Sequence, residues 1–327
     1  MATTIAVFIH LPAVVRASLQ GDGHTLVTVD EIGSRAAVIE HGAAARIVIT
    51  NGEGGLKAPE LALLPNVELI CAIGVGFEGI DLEGAAARGI AVSNGRGTND
   101  TAVADHTLGL MLAVAGGLVP ADGMVRAGDW NLFAAGGGGY PFLARRRGLF
   151  GKRLGIVGLG SIGTKIANRG HIGFEMPVAY YGRRARPESP YRFVESLLEL
   201  AEWSEFLVVS APGGAGTRHL VDAPVLDALG PEGFLINIGR GSIVDTGALI
   251  AALRAGTILG AGLDVVEGEP EVPPGLLVLD NVVLTPHMAG RGPEPVQVMA
   301  GLLTRNIRAY LAGEPLLTPV ETSGPLP

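Results

Sequence analysis

Cysteine is almost absent from this chain, whose 327 residues include only Cys71. A single thiol cannot form an internal disulfide or a cysteine-based zinc site, and it suits a reducing compartment. Positive charge is also scarce, because 24 Lys and Arg stand against 32 Asp and Glu and leave a net charge of −8. This balance argues against a nucleic-acid-binding protein, which usually presents a basic face.

Long hydrophobic runs are missing too. The longest run without Asp, Glu, Lys or Arg spans 106–121, which is shorter than the roughly 20 residues of a membrane span. The apolar stretch 5–15 has no Lys or Arg before it, which argues against a signal peptide. With 48% hydrophobic and 17% charged residues, the chain can build a core and is not disordered. We expect a soluble cytoplasmic protein without a membrane partner.

Alternating strand and helix signals dominate the chain. Strands are predicted at 5–9, 25–29, 45–50, 67–72, 153–157, 177–181, 206–210, 233–238, 259–263 and 281–284. Helices are predicted at 12–20, 31–44, 56–64 and 81–88, over one long span 101–126, and at 294–312, where we expect the helix to pack back on the first domain. Repeated strand–helix units predict an α/β fold with parallel sheets covered by helices. The six later strands match two mononucleotide-binding halves.

The segment 131–148 gives a weaker signal. It contains four consecutive glycines, 136–139, and the run Arg145-Arg146-Arg147. Such composition is typical of a flexible, solvated loop. The alternative is a lid, or an arm that packs on a second subunit.

A phosphate-binding turn is predicted at Gly158-x-Gly160-x-x-Gly163, between a strand and a helix. Glycines at these positions permit a tight turn, close approach of the backbone to a pyrophosphate, and close helix–strand packing. The helix N-terminus then favours the negative charge. The alternative is an ordinary turn in a chain that contains 50 glycines.

The end of the next strand predicts which dinucleotide binds. NAD enzymes usually carry an acidic residue there for the ribose hydroxyls, whereas this chain has Gly182 followed by Arg183, Arg184 and Arg186. Arginine can grip a 2′-phosphate through two parallel hydrogen bonds. The pattern favours NADP(H), with weaker use of NAD(H), over a merely solvated basic loop.

Three ionisable residues follow predicted strands of the second series: Arg240, Glu269 and His287. Ligands of open parallel sheets bind outside the carboxyl ends of the strands. Arg240 suits a substrate carboxylate, and His287 suits proton donation to a carbonyl oxygen that receives a hydride. Glu269 would hold the other ring nitrogen of His287 and keep its acid form available, although Glu267 competes for this role.

Other candidates carry less weight. Asp264 lies closer to the strand end and is a candidate cofactor contact, while His106 on the long helix fits a structural role better. The histidines show no metal-ligand spacing, so no metal is expected. No nucleophile elbow of the GxSxG type is present, which leaves acyl-transfer hydrolysis without support.

These motifs make the chain resemble the D-isomer-specific 2-hydroxyacid dehydrogenases, and among them the glyoxylate/hydroxypyruvate reductases. The resemblance rests on GVGFEGID (74–81), TNDTAVADHTLGLML (98–112), VGLGSIG (157–163), TRHLVD (217–222), NIGRGSIVD (237–245), AGLDVVEGEP (261–270) and TPHMAG (285–290). It favours Glu269 over Glu267, because Glu269 directly precedes Pro270 as the family pattern requires. The segment YYGRRARPE (180–188) is similar to that of NADPH-using members.

The resemblance also implies further site residues and a domain plan. Val75 and Gly76 would offer backbone N–H groups to the substrate carboxylate. The implied cofactor contacts are Gly158, Gly160, Ser161, Ile162, Gly163, Arg183, Arg184, Thr107, Ala211, Pro212, Thr217, Ile238, Gly239, Asp264, His287 and Gly290. A substrate domain of residues 1–99 plus 288–327 would receive an inserted NADP-binding Rossmann domain of residues 100–287. Homodimers are usual in this family.

The sequence leaves three functions open. The first is NADPH-dependent reduction of small 2-oxo acids such as glyoxylate and hydroxypyruvate to 2-hydroxy acids. The second is a dehydrogenase of the 3-phosphoglycerate type, against which we note the short remaining chain after the cofactor domain. The third is a dinucleotide-sensing scaffold like the corepressors that share this fold, since fold alone does not fix function. Those corepressors favour NAD(H), whereas the basic residues at the strand end of this chain predict NADP(H).

Overall fold

The computed structural model describes residues 2–130 and 141–321. The chain forms two compact units, one made of Met1–Asn99 with Arg291–Leu326 and the other of Asp100–Gly290. The glycine run 136–139, with its alternatives of loop and lid, lies outside the described residues.

The first unit contains a five-stranded parallel sheet with strand order β2-β1-β3-β4-β5. Its strands are β1 Thr4–Val7, β2 Thr25–Thr28, β3 Ile47–Thr50, β4 Leu69–Ala72 and β5 Ala91–Ser93. Its helices are α1 Ala13–Gly21, α2 Val29–Ile32, α3 Arg35–His41, α4 Ala58–Ala62 and α5 Leu82–Ala87. The predicted helix 31–44 is therefore wrong as a single element. It divides because Gly33 takes a left-handed φ of 84° and Ser34 caps a new helix.

The second unit contains a seven-stranded parallel sheet with order β12-β11-β10-β9-β6-β7-β8. Its strands are β6 Leu154–Val157, β7 Val178–Tyr181, β8 Arg192–Phe193, β9 Phe206–Val209, β10 Phe234–Asn237, β11 Gly260–Leu263 and β12 Val282–Leu284. Its helices are α6 Asp100–Gly116, α7 Leu118–Arg126, α8 Pro141–Arg145, α9 Ser161–Phe174, α10 Leu197–Trp203, α11 Ala223–Leu229, α12 Thr246–Ala255 and α13 Pro274–Leu277. The strand order reverses between β6 and β9, which is the topological switch point of a dinucleotide-binding sheet.

Alternate residues of the second sheet pack on opposite faces, as a period of two requires. On β9, Leu207 and Val209 join a core cluster with α10, α11 and α12, while Phe206 and Val208 join the cluster with α6 and α9. Helices therefore cover both faces, and the carboxyl ends of the strands remain as the edge where ligands bind. The predicted α/β class with two parallel sheets is confirmed.

The predicted long helix 101–126 is wrong in one respect, because α6 and α7 meet at a bend of 65°. Gly117 stands at the break with φ 63°, a left-handed conformation that ends α6. Among the described residues no single helix is long and apolar enough to cross a membrane, and α6 with α7 meets those criteria only when the bent pair is counted together.

The carboxyl-terminal helix, α14 Pro293–Leu311, belongs to the first unit. Ala300, Leu303 and Ile307 recur at helical spacing and pack in the cluster that contains Val15 and Leu19 of α1. The other face of this sheet is covered by α3, α4 and α5.

Candidate active site

The glycine-rich turn joins β6 to the N-terminus of α9. Gly158 has φ 93°, and a Cβ there would lie 2.9 Å from the backbone of Ala211. A Cβ on Gly163 would lie 2.3 Å from the carbonyl oxygen of Gly158, whereas one on Gly160 would meet nothing within 4 Å. The first and third glycines are thus required by the protein itself, and Gly160 leaves open space at the helix N-terminus. This cradle fits the pyrophosphate of a dinucleotide.

Two implied cofactor residues next to the turn have protein partners. The Ser161 hydroxyl donates to the carboxylate of Asp100, which is only 5% exposed at the start of α6. Ile162 packs against the core beneath the turn. Their side chains therefore fix α9, and only the backbone of this helix turn is left to meet a phosphate.

The end of β7 carries the basic segment. Arg183 and Arg184 are exposed, and neither has an ion-pair partner among the described residues. Arg186 lies 3.8 Å from Glu188, and its backbone N–H donates to the Tyr180 hydroxyl at 2.7 Å. The tyrosine fixes the backbone of the segment and leaves the first two guanidinium groups available for an anion.

The loops after β9 and β10 follow at the same edge. The Thr217 hydroxyl donates to the carbonyl of Pro212 at 2.9 Å and closes the 212–217 loop, with Ala211 at its buried start. Ile238 and Gly239 are buried directly before Arg240. Asn237 holds this segment from both sides, because its side chain donates to the Arg240 carbonyl at 3.1 Å and accepts from Gly239 at 3.1 Å.

Glu269 and His287 are brought together from the loops after β11 and β12. Their side chains meet with 2.8 Å between His287 Nδ1 and Glu269 Oε1, and both are about one-third exposed. Glu267, the competing acid, instead contacts Arg218 at 2.8 Å and His219 at 3.0 Å. The geometry therefore assigns the contact with His287 to Glu269.

Asp264 has a different position from the one expected of a cofactor ligand. Its side chain is 2% exposed and accepts from the backbone N–H groups of Met288 and Ala289, each at 2.9 Å, and from the Thr285 hydroxyl at 2.6 Å. Its carbonyl accepts from His287 N at 2.8 Å, and His287 has a left-handed φ of 48°. Both carboxylate oxygens are thus used in shaping the loop that carries His287.

His106 and Thr107 on α6 also have structural contacts. His106 Nε2 lies 3.0 Å from the Thr285 hydroxyl and 3.5 Å from Asp264, so the histidine supports the same loop, in agreement with the structural role predicted for it. Thr107 is completely buried, and its hydroxyl donates to the Val103 carbonyl. That burial argues against the implied cofactor contact of Thr107. Gly290 ends the loop at the limit of the second unit.

Val75 and Gly76 lie in the first unit, in the turn after β4. Neither backbone N–H has a hydrogen-bond acceptor among the described residues. The carbonyls are fixed, because Gly74 O accepts from Gly95 N and Val75 O accepts from Asn94 Nδ2, each at 2.7 Å. A turn with fixed carbonyls and unpaired N–H groups can receive an anion.

Known proteins are similar to this chain in architecture and in sequence. The profile described as "D-isomer specific 2-hydroxyacid dehydrogenase, NAD binding domain" matches residues 108–289. The chain belongs to the D-isomer-specific 2-hydroxyacid dehydrogenase family.

Relatives of this dehydrogenase bear the names of several reductases. Glyoxylate/hydroxypyruvate reductase A of Arabidopsis thaliana is 42% identical over 84% of this chain and 85% of its own length. Hydroxyphenylpyruvate reductase of Plectranthus scutellarioides is 41% identical over the same shares. The NADPH-dependent glyoxylate/hydroxypyruvate reductase of Sinorhizobium meliloti, solved with NADP and malonate, has a TM-score of 0.88 at 36% identity and covers 98% of this chain and 97% of its own.

Sequence reasoning missed two residues that shape this dehydrogenase's candidate site. Asp100 anchors Ser161 from 61 positions away, and Asn94 holds the turn at Val75 from 19 positions away. The only local signal for Asn94 is an amide residue followed by glycine directly after a strand, which is equally typical of an ordinary turn.

Proposed function

We propose that this protein reduces small 2-oxo acids, glyoxylate and hydroxypyruvate first, to 2-hydroxy acids with NADPH. The observation that carries the proposal is the Glu269–His287 contact of 2.8 Å on the sheet edge that also bears the dinucleotide turn. A carboxylate-held imidazole is the usual arrangement of a side chain that donates a proton in catalysis. The names and the NADP-bound structure of the relatives support the same reaction.

The proposed mechanism gives separate roles to Arg240, His287 and Glu269. The Arg240 guanidinium binds the substrate carboxylate and polarises the neighbouring carbonyl. When bound, the reduced dinucleotide supplies the hydride that the carbonyl carbon accepts. As the C=O π bond breaks, His287 gives the proton on Nε2 to the oxygen and is reprotonated from solvent. Glu269 orients the ring through Nδ1 and stabilises the imidazolium before transfer.

The proposed preference for NADPH rests on Arg183 and Arg184. Their exposed guanidinium groups follow Gly182, where an NAD-specific enzyme usually has a carboxylate. Because no acid stands at that position to repel a 2′-phosphate, and the two cations attract it, NADPH is favoured over NADH.

The remaining assignments belong to the same proposal. Val75 and Gly76 bind the substrate carboxylate through their N–H groups, which makes the first unit the substrate domain and the second the NADP-binding domain. We further propose a cytoplasmic homodimer. The single, fully buried thiol of Cys71 is compatible with a reducing compartment.

Initial rates of NADPH and NADH oxidation test the proposal, measured with glyoxylate, hydroxypyruvate, pyruvate and a bulky aromatic 2-oxo acid. We expect turnover with NADPH and the small acids. Turnover with NADH alone would refute the role of the arginines. Tight NADPH binding without turnover of any acid would refute the proposed enzyme activity and favour the dinucleotide-sensing scaffold instead. A clear preference for the aromatic acid would change the substrate class, which the name of the Plectranthus relative makes worth measuring.

A further inference from the structure

The turn at Val75 and Gly76 is held by a residue outside the turn. Asn94, which follows β5, is 7% exposed and donates from Nδ2 to the Val75 carbonyl at 2.7 Å. The next residue, Gly95, donates from its backbone to the Gly74 carbonyl at 2.7 Å. The direction of the Val75 and Gly76 N–H groups is therefore set by the backbone position of Asn94 and Gly95.

Asn94 is itself fixed by residues near the end of the chain. The Thr318 hydroxyl donates to the Asn94 carbonyl at 2.6 Å, and Asn94 N donates to the Thr318 carbonyl at 3.2 Å. Pro319 pairs with Ser93 in an antiparallel bridge, and Val320 N donates to the Val92 carbonyl at 2.8 Å. We call residues 317–320 the carboxyl-terminal strap, because this segment lies along the edge strand β5.

The strap is positioned in turn by Asn306 of α14. This side chain is 1% exposed, and its Oδ1 accepts from Leu317 N at 2.9 Å and Thr318 N at 3.3 Å. Its Nδ2 donates to the Thr318 hydroxyl at 3.0 Å and to the Leu302 carbonyl at 3.2 Å. A buried amide with every group satisfied holds one geometry, because any other would leave polar atoms unpaired.

We propose that Thr318 and Asn306 are positioning residues for the substrate carboxylate, acting through the chain Asn306–Thr318–Asn94–Val75. The inference rests on the proposed function, in which Val75 and Gly76 bind that carboxylate. Loss of the Thr318 hydroxyl removes its hydrogen bonds to Asn94 and Asn306 without touching the turn itself, while the backbone bond from Asn94 N to the Thr318 carbonyl stays. The turn then loses part of its preorganisation, and substrate binding must supply the ordering that the strap supplied before.

The test compares Thr318→Val with the wild type. One lost hydrogen bond in the network corresponds to about a fivefold rise in KM for glyoxylate. We expect kcat to stay within about twofold, because a change in binding alone raises KM and leaves kcat in place. NADPH affinity, measured by fluorescence titration, should not change. Hydrogen exchange at the Asn94 and Gly95 amides should accelerate, because the Asn94 amide donates to the strap at Thr318 and the Gly95 amide donates to the turn at Gly74.

Two further variants separate positioning from general stability. Thr318→Ser keeps the hydroxyl and should restore the wild-type KM. Thr304→Val is the matched control, because Thr304 lies buried on α14 and its hydroxyl donates, among the described residues, to the helix carbonyls of Ala300 and Gly301. It should leave KM and the exchange of Asn94 and Gly95 unchanged. If Thr318→Val folds poorly, Thr318→Ala removes the same hydroxyl with a smaller side chain, and it should raise KM in the same way.

Unchanged KM and unchanged amide exchange in Thr318→Val would overturn the proposal, as would equal losses in Thr304→Val. A fall in kcat without a rise in KM would also overturn it. Failure of the proposed function is a different result, since the wild type would then turn over no 2-oxo acid. The exchange measurement needs no turnover and would still decide whether the strap holds the turn.

Discussion

Removal of the two exposed guanidinium groups after β7 should change cofactor choice. The perturbation is the double substitution Arg183→Gln with Arg184→Gln. Hydrogen bonds to a charged partner contribute about 1.5–3 kcal/mol when well shielded. Both side chains are exposed, so solvent screening reduces each contribution to about 1 kcal/mol. Together they favour NADPH by about 2 kcal/mol, which corresponds to about a thirtyfold rise in KM for NADPH on their removal.

The assay is initial-rate kinetics with both reduced cofactors at saturating glyoxylate. KM for NADH should change less than about twofold, because NADH has no 2′-phosphate for the arginines to contact. The wild-type preference should also weaken as salt rises from low to about 0.5 M, since exposed charges are screened over a Debye length of a few ångström there. Arg192→Gln is the matched control, because Arg192 is also exposed but pairs with Glu199 at 2.7 Å.

A wild-type KM for NADPH in the double variant would refute the electrostatic reasoning. Equal losses with both cofactors would also refute it, because they would place the arginines in folding or in pyrophosphate binding. Either result would require another group to select the dinucleotide.

Four other substitutions or treatments have defined outcomes. Arg240→Ala should lower kcat/KM about 100-fold or more, through both a lower kcat and a higher KM, because it removes the proposed bidentate contact of the guanidinium with the substrate carboxylate. His287→Ala should lower kcat by about 10²–10⁴ while NADPH titration stays normal, and full activity would exclude it as the acid. Burial raises the pKa of the Cys71 thiol to about 12, so a thiol reagent at pH 8 should label it only after denaturation. The Arg35 hydrogen bond lowers the pKa of Glu60, so its contribution is present above about pH 4.3 and is lost as pH falls through the folded value. Glu60→Gln should therefore flatten the fall in unfolding free energy below pH 5 in acid denaturation.

The strands that could be predicted are those whose sequence carries an apolar run or an alternation of strand length. The segment 206–210 begins with the uninterrupted apolar run Phe-Leu-Val-Val, and this run lies at the centre of the second sheet as β9. The two short edge strands, β5 Ala91–Ser93 and β8 Arg192–Phe193, were not predicted. Two or three residues are too few to show a period, and these segments become strands because a neighbour pairs with them.

The candidate site divides in the same way. Glu269 and His287 follow strand ends within recognisable motifs, so their meeting could be expected from a parallel sheet. The role of Asn94 could not, because it depends on a contact with Thr318, which is 224 positions away. A side chain that works by holding another segment has no distinctive signal in its own neighbourhood, and long-range geometry reveals its role.

Three carboxylates lie within six residues at the end of β11, and each has a different set of partners in the structure. Asp264 is satisfied by two backbone N–H groups and a hydroxyl, and Glu267 is paired with Arg218 and His219. Of these three acids, Glu269 is the one that contacts His287.

The partners of Glu267 also bear on the choice between the two acids. An unpaired Glu267 beside the same site would repel an anionic substrate, because like charges at short range in a partly buried site interact strongly. Arg218 neutralises it at 2.8 Å. The ion pair around Glu267 therefore supports the proposed reaction without taking part in it, and Glu269 rather than Glu267 contacts His287.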